Sequence, residues 1–526
     1  MSNTKPDSSQ VKFIPAGAGA VVTTVQTELR KTFYSSNYPN LQSALTASAG
    51  NLLIIDKSET VSEQVTILAG THLQQLGAFV ITLAVPDVEF FIPDNSSNIT
   101  IDGLIITGLS SRAISSNQMS GASNIRIQNC HITGCTGGSS GVDYTSGIFL
   151  SNVNNVWITN NIIKDCGAGL LEGFGGIVFY VGPNTFLHIS GNRIESSVAL
   201  QGIACFATAY SEIIGNTVTG MKTGSGNNNG YGVLLYDNAG YITNQNTIAN
   251  NIISSTEGSG IYIVDANNTT ITGNVCKFNS LVQSDITLPS AGISINGPNI
   301  SGTAITGNCV SYSGQNGITI AGASTVSCSG NSINNCSQHG IHLRGGLNEI
   351  TVVGNSILSS GKRGIFDDDN PKRGVSIVGN SLYNSGQLES APGIEVNGSV
   401  GACVSGNVSS GASGAGLQVA DDNYLITNNV LLDNSVVGIA GSYITSVRRG
   451  NKFTSGASQG QVSLVGGWVI VPTTEIQSSD IVLLSRGTLS GATGTLSAVS
   501  FSAGVSFLIN SSSSADNGIV FWEIVH

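Results

Sequence analysis

Two aspartates, Asp237 and Asp265, close apolar runs of the same form, GVLLYD and GIYIVD. Each lies five residues after a glycine, Gly232 or Gly260, and each has a tyrosine close by, Tyr236 or Tyr262. Glu172, Glu257 and Asp285 lie in or beside the segments around these runs. If the runs stack as neighbouring strands, the two aspartates stand roughly 5 Å apart. Two carboxylates at that separation can cleave a glycosidic bond, one as acid and the other as nucleophile or base. Crowding also raises one of the two pKa values, as a general acid requires. Asp237, Asp265 and Glu172 are therefore the catalytic candidates. The competing reading is local, because Asp-Asn and Asp-Ala-Asn-Asn are ordinary turn sequences where a strand stops.

A second group gathers His339, His342, Arg344, Lys362, Arg363, Asp367, Asp368, Asp369 and Glu395. It concentrates three cations from a total of only 20, beside two histidines. His342, Arg344, Asp368 and Glu395 form the alternative catalytic cluster, able to bind an acidic sugar and abstract a proton. The same mixture also suits a salt-bridged surface or a contact between subunits.

These residues are positioned by a repeat. An asparagine in the phrase I-T-G-N-x-apolar recurs twelve times from Asn161 to Asn451, with minimum separations of 22 to 25 residues. A glycine followed by an apolar residue keeps step with it, from Gly147 to Gly438. Fixed self-similarity of this length is the signature of a solenoid. Each unit carries three short β-branched runs that alternate apolar and polar, as in GIYIVD, TTITG and NVC, so each run is a strand with one buried face. Leucine-rich repeats share the period but require leucines and often a helix that are missing here. The expected fold is all-β, a parallel β-helix of three strands per rung. Its asparagines are expected at tight left-handed corners, with stacked amides bonded from rung to rung.

Residues 39–50 (PNLQSALTASAG) suit a short helix capping the open end, and 37–100 read as cap and irregular first rungs. The regular array spans 101–454. Residues 455–526 hold several strands between Ser/Gly turns, which suggests a small antiparallel β domain.

Insertions fall at one place in the repeat, before the glycine strand: 164–175, 219–231, 276–291 and a smaller one at 384–392. Loops confined to one side wall a groove beside that strand, and such faces often bind ligands. Residues two and four after each glycine line its floor, including Phe149, Tyr180, Phe206, Tyr236, Tyr262 and Asn296. In a chain only 6% aromatic, that stripe is expected to be exposed and to stack on sugar rings. Tyr180, Phe206, Tyr236, Tyr262 and Asn296 are the substrate-binding candidates, and a subunit contact is the other use of such a stripe.

Composition excludes several classes. A net charge of −11 argues against nucleic acid, whose phosphates need basic clusters. No run of 18 apolar residues occurs, so no membrane insertion is expected. The start, MSNTKPDSSQ, is polar and carries no signal-peptide pattern. Nine cysteines, none in a CxxC pair, are expected to be reduced core residues. The glycine-rich GAGAVV and GSGNNNG are not phosphate loops, and no cofactor or metal is assigned.

The segment VKFIPAGAGAVVTTVQTELRKTF, residues 11–33, resembles the particle-binding lead-in of bacteriophage tailspike proteins. The array over about 100–453 resembles the parallel β-helix of pectate-lyase-like proteins. The usual D-F-G-A-x-G-D-G sequel to the lead-in is replaced by FYSSNYPNLQSAL. The resemblance implies a right-handed coil and a homotrimer on the virion, assembled in the bacterial cytoplasm. It implies a lead-in (1–36) that binds a phage baseplate or tail protein, and a groove that binds and depolymerises a capsule or O-antigen polysaccharide. The C-terminal domain would serve trimerisation or cell binding. Endo-glycosidic hydrolysis by paired carboxylates is the leading expectation; a non-catalytic glycan adhesin and a polysaccharide lyase or epimerase are the alternatives. No family catalytic motif transfers to a position here.

Overall fold

The computed structural model describes residues 12–13, 23–24 and 31–525, except 118–119, 138–144, 168–174, 197–198, 224–229, 238–242, 282–289, 369–370, 421–422, 436–437, 442–446, 454–458, 474–475, 477–479 and 488–490. The expected particle-binding lead-in lies largely outside this set, as do Glu172, Asp285 and Asp369.

Three parallel sheets run the length of the array. One complete rung consists of Ile261–Val264, Thr270–Thr272 and Val275–Lys277. The first strand of each rung belongs to a 15-stranded sheet ending at Ile439–Gly441, here called the groove sheet. The last belongs to a 16-stranded sheet ending at Lys452–Phe453. The middle strands form the third stack, which begins with Thr32–Tyr34 paired to Leu52–Ile54.

Alternation fixes which side chains fill the coil. On the groove sheet, Ile203, Val233, Ile261, Ile293, Ile318, Ile341 and Ile365 stand in register, one per rung, all fully buried. β-Branched residues pack well in such lateral rows. The recurring glycine opens these strands because the coil has no room for a side chain there. A Cβ on Gly232 would collide with the Ile253 side chain and the Gly260 carbonyl oxygen.

The repeated asparagines form a buried ladder. Asn274 Nδ2 donates to Asn308 Oδ1 at 3.0 Å and to the Ile248 carbonyl at 2.8 Å, and Asn308 repeats the pattern with Asn331. The left-handed corner is not at these residues, as the sequence suggested, but one position earlier. Asn250 and Gly273 have φ of 55° and 63°, whereas Asn251 and Asn274 are not among the positive-φ residues. The division is physical: the preceding residue turns the chain, and the asparagine points inward to satisfy backbone groups that the turn would strand in the core. Asn308→Ala removes the acceptor for Asn274 N–H and Nδ2 and orphans the Ile271 carbonyl. A loss of roughly 2–5 kcal/mol is expected from buried groups left without partners, read as a lower denaturation midpoint.

The helix Leu41–Ala47 buries Leu41, Ala44 and Leu45, and Asn40 caps it by accepting from Ser43 N–H. After the array, two three-stranded antiparallel sheets pack around Phe507, Ile509, Val520, Trp522 and Ile524. All nine cysteines are free and seven are buried. Cys309 is exposed and Cys403 half-exposed, which departs from the expectation of an all-core set: Cys309 begins a strand at an outward-facing register position, beside Val275 and Ser332.

Candidate functional site

Strand register sorts the outer face of the groove sheet into two rows. The first runs Val178, Ala204, Leu234, Tyr262, Ser294, Thr319, His342, Phe366, Glu395. The second runs Phe206, Tyr236, Val264, Asn296, Ala321, Arg344.

The aromatic stripe is therefore real, but much of it is covered. Phe149, Val178, Leu234, Tyr231 and Tyr262 are buried in an apolar cluster outside the coil, with Tyr180, Phe206 and Val264 packed against it. Phe149–Tyr180, Tyr180–Phe206 and Phe206–Tyr236 lie 6.0, 5.5 and 5.6 Å apart between centroids. Only Tyr236, 40% exposed, presents a ring substantially to solvent. Tyr262, at 6%, is not the open platform its position suggested. Instead its hydroxyl accepts from Asn296 Nδ2 at 3.3 Å. The rows alone set the outward direction, and the sequence has no signal for what lies over it.

Asp237 follows the second row directly after Tyr236. Its Oδ1 is buried and has no hydrogen-bond partner among the described residues. Burial pushes its pKa up, the Thr243 backbone amide opposes, and the charge of Asp265 pushes it further up. Asp265 combines both sequence readings. Its φ is +51°, and its Oδ1 accepts from Asn299 N–H at 3.1 Å, the work of a turn residue. Yet it is close enough to Asp237 to perturb that carboxyl. Glu257 serves its loop: it accepts from Lys222 Nζ, Thr223 N–H and Thr223 Oγ1 at 2.9, 2.8 and 2.7 Å. Burial alone would raise its pKa, but these donors hold it below the usual range.

The second cluster is more tightly built. The His342 ring stacks on Phe366 at 5.1 Å and lies 5.0 Å from His339, while the Arg363 guanidinium covers Phe366 at 4.9 Å. Arg363 pairs with Glu395 and with Glu389, each at 2.6 Å. Because Glu389 belongs to the insertion 384–392, an inserted loop reaches this cluster. Asp368 Oδ2 lies 4.0 Å from His342 Nε2, and its Oδ1 receives Lys372 Nζ at 2.6 Å. Asp367 does not belong to the surface group. It points into the coil in the row Leu343, Asp367, Val396, paired with fully buried Lys372 at 2.7 Å.

Both histidines are held neutral. Burial lowers the pKa of His342 to about 4, with Asp368 opposing and Arg344, Lys372 and Arg363 assisting. Burial, then His342, Arg363 and Lys362, lowers that of His339 to about 2. Histidines kept neutral when folded take up protons on unfolding, so they favour the folded state above pH ~6.5 and lose that contribution as pH falls toward ~4. For His342 alone the full loss is about 3 kcal/mol. The denaturation midpoint of a His342→Gln protein is expected to fall less between pH 7 and pH 4.5 than that of the wild type; equal slopes would exclude this coupling.

Residues 90–226 and 201–382 match the right-handed β-helix region family. These matches cover more than half of the chain, which belongs to that family. Residues 456–525 match the C-terminal domain of K1 capsule-specific polysaccharide lyase. End to end, the chain is similar in fold to tailspike proteins. A mutant tailspike of E. coli bacteriophage HK620, solved with a hexasaccharide, superposes over 98% of this chain and 97% of its own, with TM-score 0.55 and 11% identity. Another mutant of that tailspike, solved with a pentasaccharide, gives TM-score 0.55 at 11% identity over 98% of each chain. No curated protein sequence matches the chain.

Proposed function

We propose that this protein is a virion-attached tailspike that binds a bacterial surface polysaccharide and cleaves it by endo-glycosidic hydrolysis. The observation that carries the reading is Asp237: a carboxyl with a buried oxygen that has no partner among the described residues and a raised pKa, beside the most exposed ring of the aromatic ladder. Asp237 protonates the glycosidic oxygen. Asp265 meets the anomeric carbon as nucleophile, since neighbouring rungs only ~4.8 Å apart suit a retaining pair better than one with water between. The fold shared with an oligosaccharide-bound tailspike supports the reading. Residues 1–36 attach the particle, three copies assemble, and residues 455–526 serve trimerisation or cell binding.

A second reading is a lyase, with His342 as base and Arg344, Asp368 and Glu395 around it. It is favoured by the neutral state of His342 and by the lyase-type C-terminal match. Digestion of purified capsule and O-antigen from candidate hosts decides. Hydrolysis gives shorter chains with new reducing ends and no ultraviolet absorbance from an unsaturated uronate. Absorbing products move the chemistry to His342, and a glycan that is bound but never shortened leaves an adhesin.

A further inference from the structure

Arg344 has no role in the proposed cleavage, and its surroundings give it none in the fold. It ends the row Tyr236, Val264, Asn296, Ala321, Arg344 on the outer face of the groove sheet. It is half-buried, yet among the described residues its guanidinium enters no ion pair, hydrogen bond or ring contact. This is unusual in a chain where 31 acids outnumber 20 cations. Among the described residues, the adjacent carboxylates are already engaged. Asp368, on the next rung, is held by Lys372 Nζ and by Gly345 N–H. Glu395 is held by Arg363 and by Asn397 Nδ2 at 2.7 Å. Beside Arg344, His342 Nε2 is buried and has no hydrogen-bond partner among the described residues.

A half-buried guanidinium pays for its desolvation only when an anion meets it, and its planar donors match a carboxylate or phosphate bidentately. We propose that Arg344 receives an anionic group carried by the glycan, a sugar carboxylate or a phosphate, at the far end of the groove from Tyr236. Four rung steps of ~4.8 Å separate the two side chains, about 19 Å along the coil. An extended glycan lying parallel to the axis thus meets the aromatic ring and Asp237 at one end and Arg344 at the other. The inference rests on the groove being the glycan site, and it narrows the substrate to acidic polysaccharides.

The test is biolayer interferometry with three immobilised glycans of equal length: an oligohexuronate, the same oligomer with its carboxylates reduced to alcohols, and a phosphodiester-linked oligosaccharide. The full chain is used in the Asp237→Asn form, with and without Arg344→Gln and Arg344→Lys. Expected is binding to at least one charged surface and not to the reduced one, weakened ~10- to 100-fold by Arg344→Gln and partly restored by Arg344→Lys. Preference for the uronate or for the phosphodiester surface identifies the anion. The proposal is overturned if Arg344→Gln binds as tightly as its parent, if the reduced surface binds as well as the charged ones, or if neither charged surface binds. Weakened binding without cleavage of any glycan by the wild type leaves the subsite standing and removes the hydrolase. Equal binding by both forms, with host polysaccharide still shortened, does the reverse.

Discussion

An Asp237→Asn protein is expected to bind host polysaccharide like the wild type and to shorten it about 100- to 10,000-fold more slowly, the loss typical of a removed general acid. Asparagine has nearly the same shape, and among the described residues Oδ1 has no hydrogen-bond partner to lose, so folding should be preserved. The unpartnered oxygen is the reason to expect a large effect, since a carboxyl kept for structure normally spends both oxygens on donors. Glu257 does so, and its pKa lies below the usual range, whereas that of Asp237 lies above it. A general acid must be protonated to act, so the wild-type rate should fall on the alkaline side as Asp237 ionises, at a pH above the ordinary carboxylate range.

Asp265→Asn separates the two readings of its residue. Asparagine tolerates φ of +51°, and its side-chain oxygen can still accept from Asn299 N–H. A turn-only Asp265 therefore leaves the rate unchanged. A nucleophilic Asp265 loses cleavage at least as severely as Asp237→Asn. Loss in neither variant moves catalysis elsewhere, and cleavage rates on one purified polysaccharide decide the matter.

Much of the architecture was legible because a solenoid writes the same local physics on every rung. The glycine marker reports a place without room for a Cβ, the β-branched triplets report strands, and the asparagine reports a buried ladder. What the marker could not report was its own geometry: Asn274 and the preceding Gly273 are both turn formers in sequence, and only the backbone separates the corner from the amide that satisfies it. The candidate site was legible as rows, since counting by twos from each glycine is correct wherever strands are in register. Exposure was not legible, because counting gives direction and not cover: Phe149 and Tyr262 are buried against outward neighbours such as Val178, Tyr231 and Leu234. One signal was available and missed. Asp367 stands three residues after Gly364, an inward position that Leu343 and Val396 occupy on the flanking rungs. Its partner Lys372 lies five residues on, in NPKRG.

That inward aspartate gives the largest expected effect on stability. Lys372 and Asp367 have no solvent-exposed side-chain surface, and Ser399 Oγ donates to the other Asp367 oxygen. Burial raises the pKa of Asp367, while Lys372 and Ser399 pull it back. Lys372→Met removes the cation and leaves the carboxyl inside the coil, at an expected cost of about 3–5 kcal/mol. The stranded group must then take a proton to remain buried. A carboxyl whose folded pKa is raised loses stability as pH climbs from ~3.9 through that pKa, so the deficit of Lys372→Met should be larger at pH 7 than at pH 4. Adding Asp367→Val removes the stranded charge and continues the apolar row between Leu343 and Val396. The double variant is expected within ~1–2 kcal/mol of the wild type, because apolar replacements of buried ion pairs are often neutral or stabilising. Lys372 also donates to the Asp368 carbonyl and carboxylate, both at 2.6 Å, and the double variant does not restore those bonds. Denaturant midpoints of the three proteins at the two pH values test this directly. A Lys372→Met deficit that is small, or independent of pH, would show that Asp367 is not left as a buried, uncompensated charge when its partner is removed.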